Sequence, residues 1–304
     1  VKILVMGAGA VGAYFGARLQ QAGEQVVFCC RGENLRELRR GGLRVESYQG
    51  DFQLEVSATD DSRENAPYDL ILFCVKSYDT DTAAKSLAGC ITQEGVLLTL
   101  QNGVENEARL GEIFGRNAVM GGNARVGAEL VAPAKLIHRT GGFIQFGELD
   151  GKETSRGREI AKMFQRAGIL GEYTTSLASI RWEKLLWNAA FNSVTALTRS
   201  KVGNVIDDID GAALLRALMN EIVAVAEAEG VALSRDQVEA QMARSYAQLR
   251  EVRTSTQQDS ERGKRLEFEA LSGAVVRAAG RHGIEVPHMR TVHALMKLLD
   301  ATRT

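Results

Sequence analysis

Residues 2–12 read Lys-Ile-Leu-Val-Met-Gly-Ala-Gly-Ala-Val-Gly. Lys2–Met6 is a short apolar run, the pattern of a buried strand. Glycines follow at once at positions 7, 9 and 12, and the helical stretch Ala13–Gln21 then ends at Gly23 in a turn position. A second strand pattern, Gln25–Cys30, comes next. Strand, glycine turn, helix and strand at this length make one βαβ unit. In such a unit Gly7 permits the tight turn, Gly9 lets a pyrophosphate approach the backbone, and Gly12 lets the helix sit close on the strand. The loop Gly7-Ala8-Gly9-Ala10-Val11-Gly12 also opens a helix whose first N–H groups and dipole favour phosphate. The plainer reading is a set of turn glycines that bind nothing. Their place directly after a strand and before a helix argues for nucleotide binding.

The end of the second strand selects the nucleotide. Enzymes that use NAD place an acid there for the ribose 2′-hydroxyl, whereas a cation suits the 2′-phosphate of NADP. Positions 28–31 read Phe-Cys-Cys-Arg. Arg31 therefore stands where the acid would be, and its guanidinium can grip a phosphate through charge-assisted bonds. Glu33 nearby weakens this reading, and a solvated Arg31 is the alternative; NADP(H) is still favoured. The sheet continues with Asp69–Lys76 and with Val96–Leu100, which runs into Gln101-Asn102-Gly103. Ligands of open α/β sheets lie beyond the carboxyl ends of the strands, so Lys76 and Asn102 fall at the cofactor edge. Lys76 would hold phosphate or ribose, and Asn102 would reach toward nicotinamide and substrate. A solvated lysine and an ordinary Asn-Gly turn are the bland alternatives. Further strand-like stretches are Ala118–Met120, Lys135–His138 and Phe143–Gly147, and a helix over 155–167 closes this domain.

The segment 182–197, Trp-Glu-Lys-Leu-Leu-Trp-Asn-Ala-Ala-Phe-Asn-Ser-Val-Thr-Ala-Leu, is almost wholly apolar or small. Such a helix is enclosed by protein on most sides. Lys184, Asn188 and Asn192 recur on it at i, i+4 and i+8 and share one face. A lysine and two amides buried without partners would cost several kcal/mol, so the face is expected to line a polar cavity. The alternative is a solvated stripe, but Trp187, Ala189 and Phe191 flank it where a solvated face would carry charge. A lysine there can stabilise and protonate the oxygen of a carbonyl receiving hydride.

Helical patterns continue over 208–229, from about Ser234, over 262–281, and from Pro287 to about Ala301. Strand patterns are essentially absent after Thr175. The expectation is an α/β fold, a Rossmann-type doubly wound sheet in the first domain (1–175) followed by an all-α second domain (176–304). The boundary is expected near Tyr173–Ser179, with the active cleft between the domains.

Bulk properties exclude other classes. The chain has 304 residues, 45% hydrophobic and 25% charged, with formal net charge -1. Nothing invites nucleic acid, no apolar run has the length of a membrane span, and no secretory signal is visible ahead of the first strand, so a cytoplasmic protein is expected. The four cysteines, Cys29, Cys30, Cys74 and Cys90, lack metal-type spacing and read as buried free thiols of a reducing cytoplasm. His138, His282, His288 and His293 are scattered, so no metal is expected. Neither a heptad seam nor a self-complementary patch stands out, so the oligomeric state is open and a homodimer is compatible with it.

Taken together, these residues resemble the ketopantoate reductase family over nearly the whole chain. The resemblance is carried by the glycine loop 7–12, Lys76, Gln101-Asn102-Gly103-Val104, and Trp182-Glu183-Lys184-Leu185 with Asn188 and Asn192. Ser255, Gln258-Asp259 and Glu267 complete it. It implies reduction of a small 2-oxo acid, 2-dehydropantoate, by NADPH. By that likeness Lys184 is the general acid and Glu267 completes the site near the reacting oxygen. Asn102, Asn188, Asn192 and Ser255 hold the substrate, and Arg31 and Lys76 contact the cofactor. Many members carry Pro after Asn192 and later an Asn-Gly pair; here Ser193 follows and the order is Gly203-Asn204, so Asn204 receives no role. Two rival readings stay open: a reductase of another 2-oxo or β-hydroxy acid with the same stripe, and a non-catalytic NADPH sensor, which would have no use for Lys184.

Overall fold

A computed structural model describes residues 1–302. The chain forms two compact units: residues 1–101 with 106–177, and residues 102–105 with 178–304.

Among the described residues, the first unit holds one ten-stranded sheet. Strand β1 (Lys2–Met6) is followed by helix α1 (Ala10–Gln21), β2 (Gln25–Cys29) and α2 (Gly32–Gly41). A small excursion, β3 (Leu43–Ser47) and β4 (Phe52–Leu54), precedes β5 (Ser57–Thr59), β6 (Tyr68–Phe73), α3 (Thr80–Ser86), β7 (Ile91–Thr99) and α4 (Asn106–Phe114). Strands β8 (Val119–Ala132) and β9 (Lys135–Glu148), helix α5 (Ser155–Arg166) and β10 (Leu170–Tyr173) complete the unit. The order β5-β2-β1-β6-β7-β8 is parallel throughout. It is the 3-2-1-4-5-6 arrangement of the doubly wound dinucleotide fold, with the switch point between β1 and β6. Period-two alternation covers both faces: Ile3 and Val5 enter one apolar cluster with Leu70, Leu72 and Leu98, while Leu4 and Met6 enter another with Ile71, Phe73 and Leu97.

Two departures from the sequence reading lie in this unit. The short stretches expected at 118–120, 135–138 and 143–147 fall, apart from Ala118, within a single antiparallel hairpin of two 14-residue strands. Glycine hides its extent. Gly121, Gly122 and Gly127 leave β8 without side-chain alternation, and Gly141 and Gly142 take positive φ within β9, where the register shifts. The cysteines are all free thiols, but only Cys29 and Cys90 are buried; Cys30 and Cys74 are half-buried.

The second unit is helical. Its helices are α6 (Leu177–Trp187), α7 (Ser193–Thr198), α8 (Val202–Asp207), α9 (Ile209–Ala228), α10 (Arg235–Gln248), α11 (Ser255–Glu261), α12 (Ser272–His282) and α13 (Pro287–Ala301). One apolar core runs through them, from Leu186 and Phe191 to Leu215, Ile222, Val275 and Met289. The helix expected over 262–281 is corrected: it begins only at Ser272, and the separate helix α11 precedes it. Gly263 at φ 66 closes α11, with the Gly263 amide donating to the Ser260 carbonyl and the Lys264 amide to that of Asp259. That pair of bonds is a left-handed helix stop. Residues 262–267 therefore form a loop, followed by a 3-10 turn at Phe268–Ala270.

Candidate functional site

The glycine loop shows three separate demands. Gly7 has φ 100, and a Cβ there would lie 2.8 Å from the Val75 amide nitrogen. At Gly12 a Cβ would sit 2.2 Å from the Gly7 carbonyl oxygen and 2.8 Å from Val5 Cγ1. Gly9, the residue before α1, faces open space, with nothing within 4 Å of an added Cβ. The packed glycines thus shape the turn, and the open one borders the volume in front of the helix N-terminus, where a pyrophosphate is favoured. The loop is held in place by the Gly7 amide donating to the Cys29 carbonyl (3.0 Å) and the Cys74 amide to that of Met6 (2.8 Å). Asn34 pins it further: its amide donates to the Ala8 carbonyl (3.0 Å), and its Oδ1 accepts from the Ala134 amide (2.8 Å).

Arg31 is exposed at the N-terminal end of α2, directly beyond β2, and no ion pair engages it among the described residues. Lys76 is half-buried in the loop beyond β6, immediately before a 3-10 turn. That loop is organised by Gln101, a residue to which sequence reasoning gave no task. Gln101 is buried, and its amide donates to the Val75 carbonyl (3.0 Å) and to Thr80 Oγ1 (2.9 Å). Its Oε1 accepts from Thr99 Oγ1 (3.1 Å). An amide at a strand end was the only signal, and Asn34 offered none. Desolvation pushes the Cys74 thiol up to about 12, which leaves it no thiolate chemistry at neutral pH.

In the second unit, Lys184 and Asn188 are half-buried and Asn192 is 2% exposed. The helix that carries them is not a uniform α-helix, which corrects the simple i, i+4, i+8 picture. Residues Asn188–Asn192 form a π-helical turn between α6 and α7. Four residues of α-helix overshoot one turn by about 40°, and the wider π turn works against that drift; π turns of this kind recur at functional sites. Trp187 and Phe191 stack at 4.8 Å beside the stripe, and the indole N–H donates to Ser245 Oγ at 3.0 Å. The Oδ1 atom of Asn192 is buried and has no hydrogen-bond partner among the described residues. A buried acceptor left open costs about 1–3 kcal/mol, a cost that a site for a polar ligand would explain.

Helix α11 packs against α7 and the π turn. Thr195 and Thr254 hydroxyls meet at 2.8 Å, and Thr254 also accepts the Gln257 amide as the α11 cap. Ser255 is the next residue, exposed at the first position of α11. Glu267 ends the loop 262–267 at 7% exposure, and its carbonyl accepts from the Ala270 amide at 3.1 Å. The Leu266 amide donates to Asp300 Oδ1 (2.8 Å), tying this loop to α13. Asn102 belongs to this unit, with the segment 102–105. Gly103, at φ 99, would bring a Cβ within 2.5 Å of the Ala270 carbonyl oxygen. Its own carbonyl accepts from the Arg181 guanidinium. Arg181 was missed in the sequence, although a second cation three residues before Lys184 on an apolar helix was a readable sign.

The first unit therefore presents a phosphate cradle with a nearby cation. The second carries a lysine, three amides, a hydroxyl and a buried carboxylate, a set able to hold and protonate a small oxygen-rich substrate. Among the described residues, no group of three or more His, Cys, Asp or Glu side chains could hold a metal ion, and no helix is long and apolar enough to cross a membrane.

Comparison with known proteins agrees with this division. Residues 3–151 match the model of the family described as ketopantoate reductase PanE/ApbA, and residues 176–300 match its C-terminal model. The 2-dehydropantoate 2-reductase of Halobacterium salinarum is 35% identical over 98% of each chain. That of Archaeoglobus fulgidus is 33% identical over 99% of this chain and 98% of its own. The crystal structure of 2-dehydropantoate 2-reductase from Geobacter metallireducens superposes with a TM-score of 0.94 at 32% identity, covering 98% of this chain and 99% of that one. A D-mandelate dehydrogenase solved with NADH and anilino(oxo)acetate shares the fold at 18% identity, TM-score 0.94, covering 100% of this chain and 99% of that one. With both family models matched in order along nearly its whole length, the chain belongs to the ketopantoate reductase family of oxidoreductases.

Proposed function

We propose that this protein reduces 2-dehydropantoate to (R)-pantoate with NADPH, a cytoplasmic step toward pantothenate and coenzyme A. The observation that carries the reading is the Lys184–Asn188–Asn192 stripe on a π-distorted helix, with the buried Asn192 acceptor still open, in a chain of this family.

The residues present fit a dinucleotide. Only Gly9 of the three loop glycines has room in front of it, and it caps α1, whose first amides lack helical partners. Arg31, exposed and engaged by no carboxylate among the described residues, is suited to a 2′-phosphate, and Lys76 adds charge at the same sheet edge. Ala8, Ala10 and Val11 supply backbone to the cradle. When bound, the nicotinamide would supply the hydride for the keto carbon. Asn102 would orient the reacting groups, and Asn188, Asn192 and Ser255 would hold the hydroxyl and carboxylate of the substrate. Lys184 would stabilise charge growing on the carbonyl oxygen and deliver a proton to it. Glu267 would keep the ammonium and the reacting oxygen in register. The substrate is thus a small 2-oxo acid, neither nucleic acid nor membrane is engaged, and we propose no assembly beyond a homodimer.

A second reading keeps the chemistry and changes the acid. It is favoured by one observation, the replacement of the family's Pro and Asn-Gly by Ser193 and Gly203-Asn204, since pocket changes of this size alter specificity by only about 1–3 kcal/mol. Loss of NADPH absorbance with ketopantoate and a panel of other 2-oxo acids tests both. A clear preference for ketopantoate is expected; preference for another acid would reassign the pocket, and no oxidation with any acid would overturn the proposal.

A further inference from the structure

Three residues given tasks above come from distant parts of the chain: Asn102 from a short segment, Lys184 from α6, and Glu267 from the loop before α12. Each has a near neighbour at one peptide group, the carbonyl and Cα of Gly103. Asn102 precedes it directly. Arg181, one helical turn before Lys184, donates a guanidinium hydrogen bond to the Gly103 carbonyl. Ala270, joined to Glu267 by the 3.1 Å bond that closes the 3-10 turn, fills the space against the Gly103 Cα, where even a methyl group would strike its carbonyl oxygen at 2.5 Å.

The surroundings make this junction stiff. Arg181 is 6% exposed, and burying a guanidinium is costly unless its bonds are made. Two residues on, Glu105 is gripped by Arg277, whose Nη2 lies 2.6 Å from Glu105 Oε2 and donates to the Glu269 carbonyl at 2.6 Å. Arg277 Nη1 also reaches Glu269 Oε2 at 2.7 Å. The segment 102–105 is therefore fastened at Gly103 from α6 and at Glu105 from α12. Glycine is required at 103 by both the φ of 99 and the Ala270 contact.

We propose that Arg181 is a positioning residue: through the Gly103 carbonyl it sets the place of Asn102 relative to Lys184 and Glu267, and so the geometry in which hydride and proton are delivered. This rests on the function proposed above. A displacement of about 1 Å in such a constellation can lower turnover by about 100-fold. Arg181 acts through Asn102 and touches no substrate, so its loss should lower kcat far more than it raises KM for the 2-oxo acid.

The test is a double-mutant cycle between Arg181→Met and Asn102→Ala, with Arg181→Lys as the conservative variant, measured as kcat and KM with NADPH and the preferred 2-oxo acid. Amide hydrogen exchange over 100–106 is followed in the same proteins. Expected are a fall in kcat of about 10–100-fold for Arg181→Met, little further loss when Asn102 is already Ala, and substantial recovery with Arg181→Lys. Exchange over 100–106 should quicken at least about tenfold, while protection over the glycine loop 7–12 stays unchanged. Losses that multiply independently in the cycle, a kcat within about twofold of wild type, or unchanged exchange over 100–106 would each overturn the proposal. Absence of wild-type turnover with every 2-oxo acid would instead sink the assigned function, and the exchange result would then decide alone whether Arg181 holds the segment.

Discussion

Replacing Gly9 and Gly12 by alanine, one at a time, separates cofactor binding from folding. Gly9 has φ -74 and ψ -172, a conformation alanine adopts freely, and its Cβ would meet nothing within 4 Å. Alanine caps a helix less well than glycine, by roughly 1 kcal/mol or less, and the gain from a stiffer unfolded chain offsets part of that. The melting temperature of Gly9→Ala should therefore stay within about 3 °C of wild type. NADPH affinity should still fall at least about tenfold, or 1.4 kcal/mol, because the methyl group occupies the room into which a pyrophosphate must come. At Gly12 the same methyl would sit 2.2 Å from a backbone oxygen, about 1 Å inside ordinary contact, with Val5 also in the way. Such overpacking costs about 3 kcal/mol, so Gly12→Ala should melt well below wild type and lose NADPH together with its fold. Thermal melting and NADPH fluorescence titration on the two proteins provide the assay. A Gly9→Ala protein that binds NADPH like wild type would refute the placement of the pyrophosphate, and a Gly12→Ala protein of normal stability would refute the packing argument.

Three further outcomes are expected. Arg31→Ala should weaken NADPH by about 10-fold or more and leave NADH nearly unchanged; equal losses would mean that Arg31 does not read the 2′-phosphate. Asn192→Leu removes a buried acceptor without a partner, so the protein should be as stable as wild type or up to about 2 kcal/mol more stable while turnover collapses; retained turnover would take Asn192 out of the site. Desolvation lowers the folded pKa values of His138 and His293 below 6.5, so these rings refuse protons that the unfolded chain accepts. Their contribution to stability is present above pH 6.5 and lost as pH falls below it, levelling off once the folded rings also titrate. Denaturant unfolding at pH 7.5 and 5.5 should show this loss in wild type and a smaller one in the His138→Gln, His293→Gln double variant; identical pH dependence would remove the two rings as its source.

The doubly wound sheet was readable because local pattern and tertiary role coincide there. The β1 and β6 runs are continuous since both sheet faces are covered, and Gly7 and Gly12 each have a steric cause while Gly9 borders open space. The β8–β9 hairpin was readable only in fragments because glycines break its alternation, and pairing across the sheet supplies the order that the local pattern lacks. The helix expected to start at Arg262 starts only at Ser272, because Gly263 takes a left-handed conformation that stops α11. That correction moves Glu267 from the expected helix to a buried position in a loop that the Leu266–Asp300 bond ties to α13. The Lys184–Asn188–Asn192 spacing was visible, but the π turn, which packs against α9, α11 and α12, leaves no periodic mark. The membership of Asn102 in the helical unit was equally hidden, since it depends on Arg181, Ala270 and Arg277, which lie far away in sequence.

Lys184 carries the central claim, and Lys184→Met, which keeps the length of the side chain and removes the ammonium, tests it most directly. Turnover with NADPH and ketopantoate and the NADPH dissociation constant should be measured on the same preparation. The expected result is a fall in kcat of about 100- to 10,000-fold with NADPH affinity within about twofold of wild type. A kcat within about tenfold of wild type would contradict the assignment of Lys184 as the proton donor.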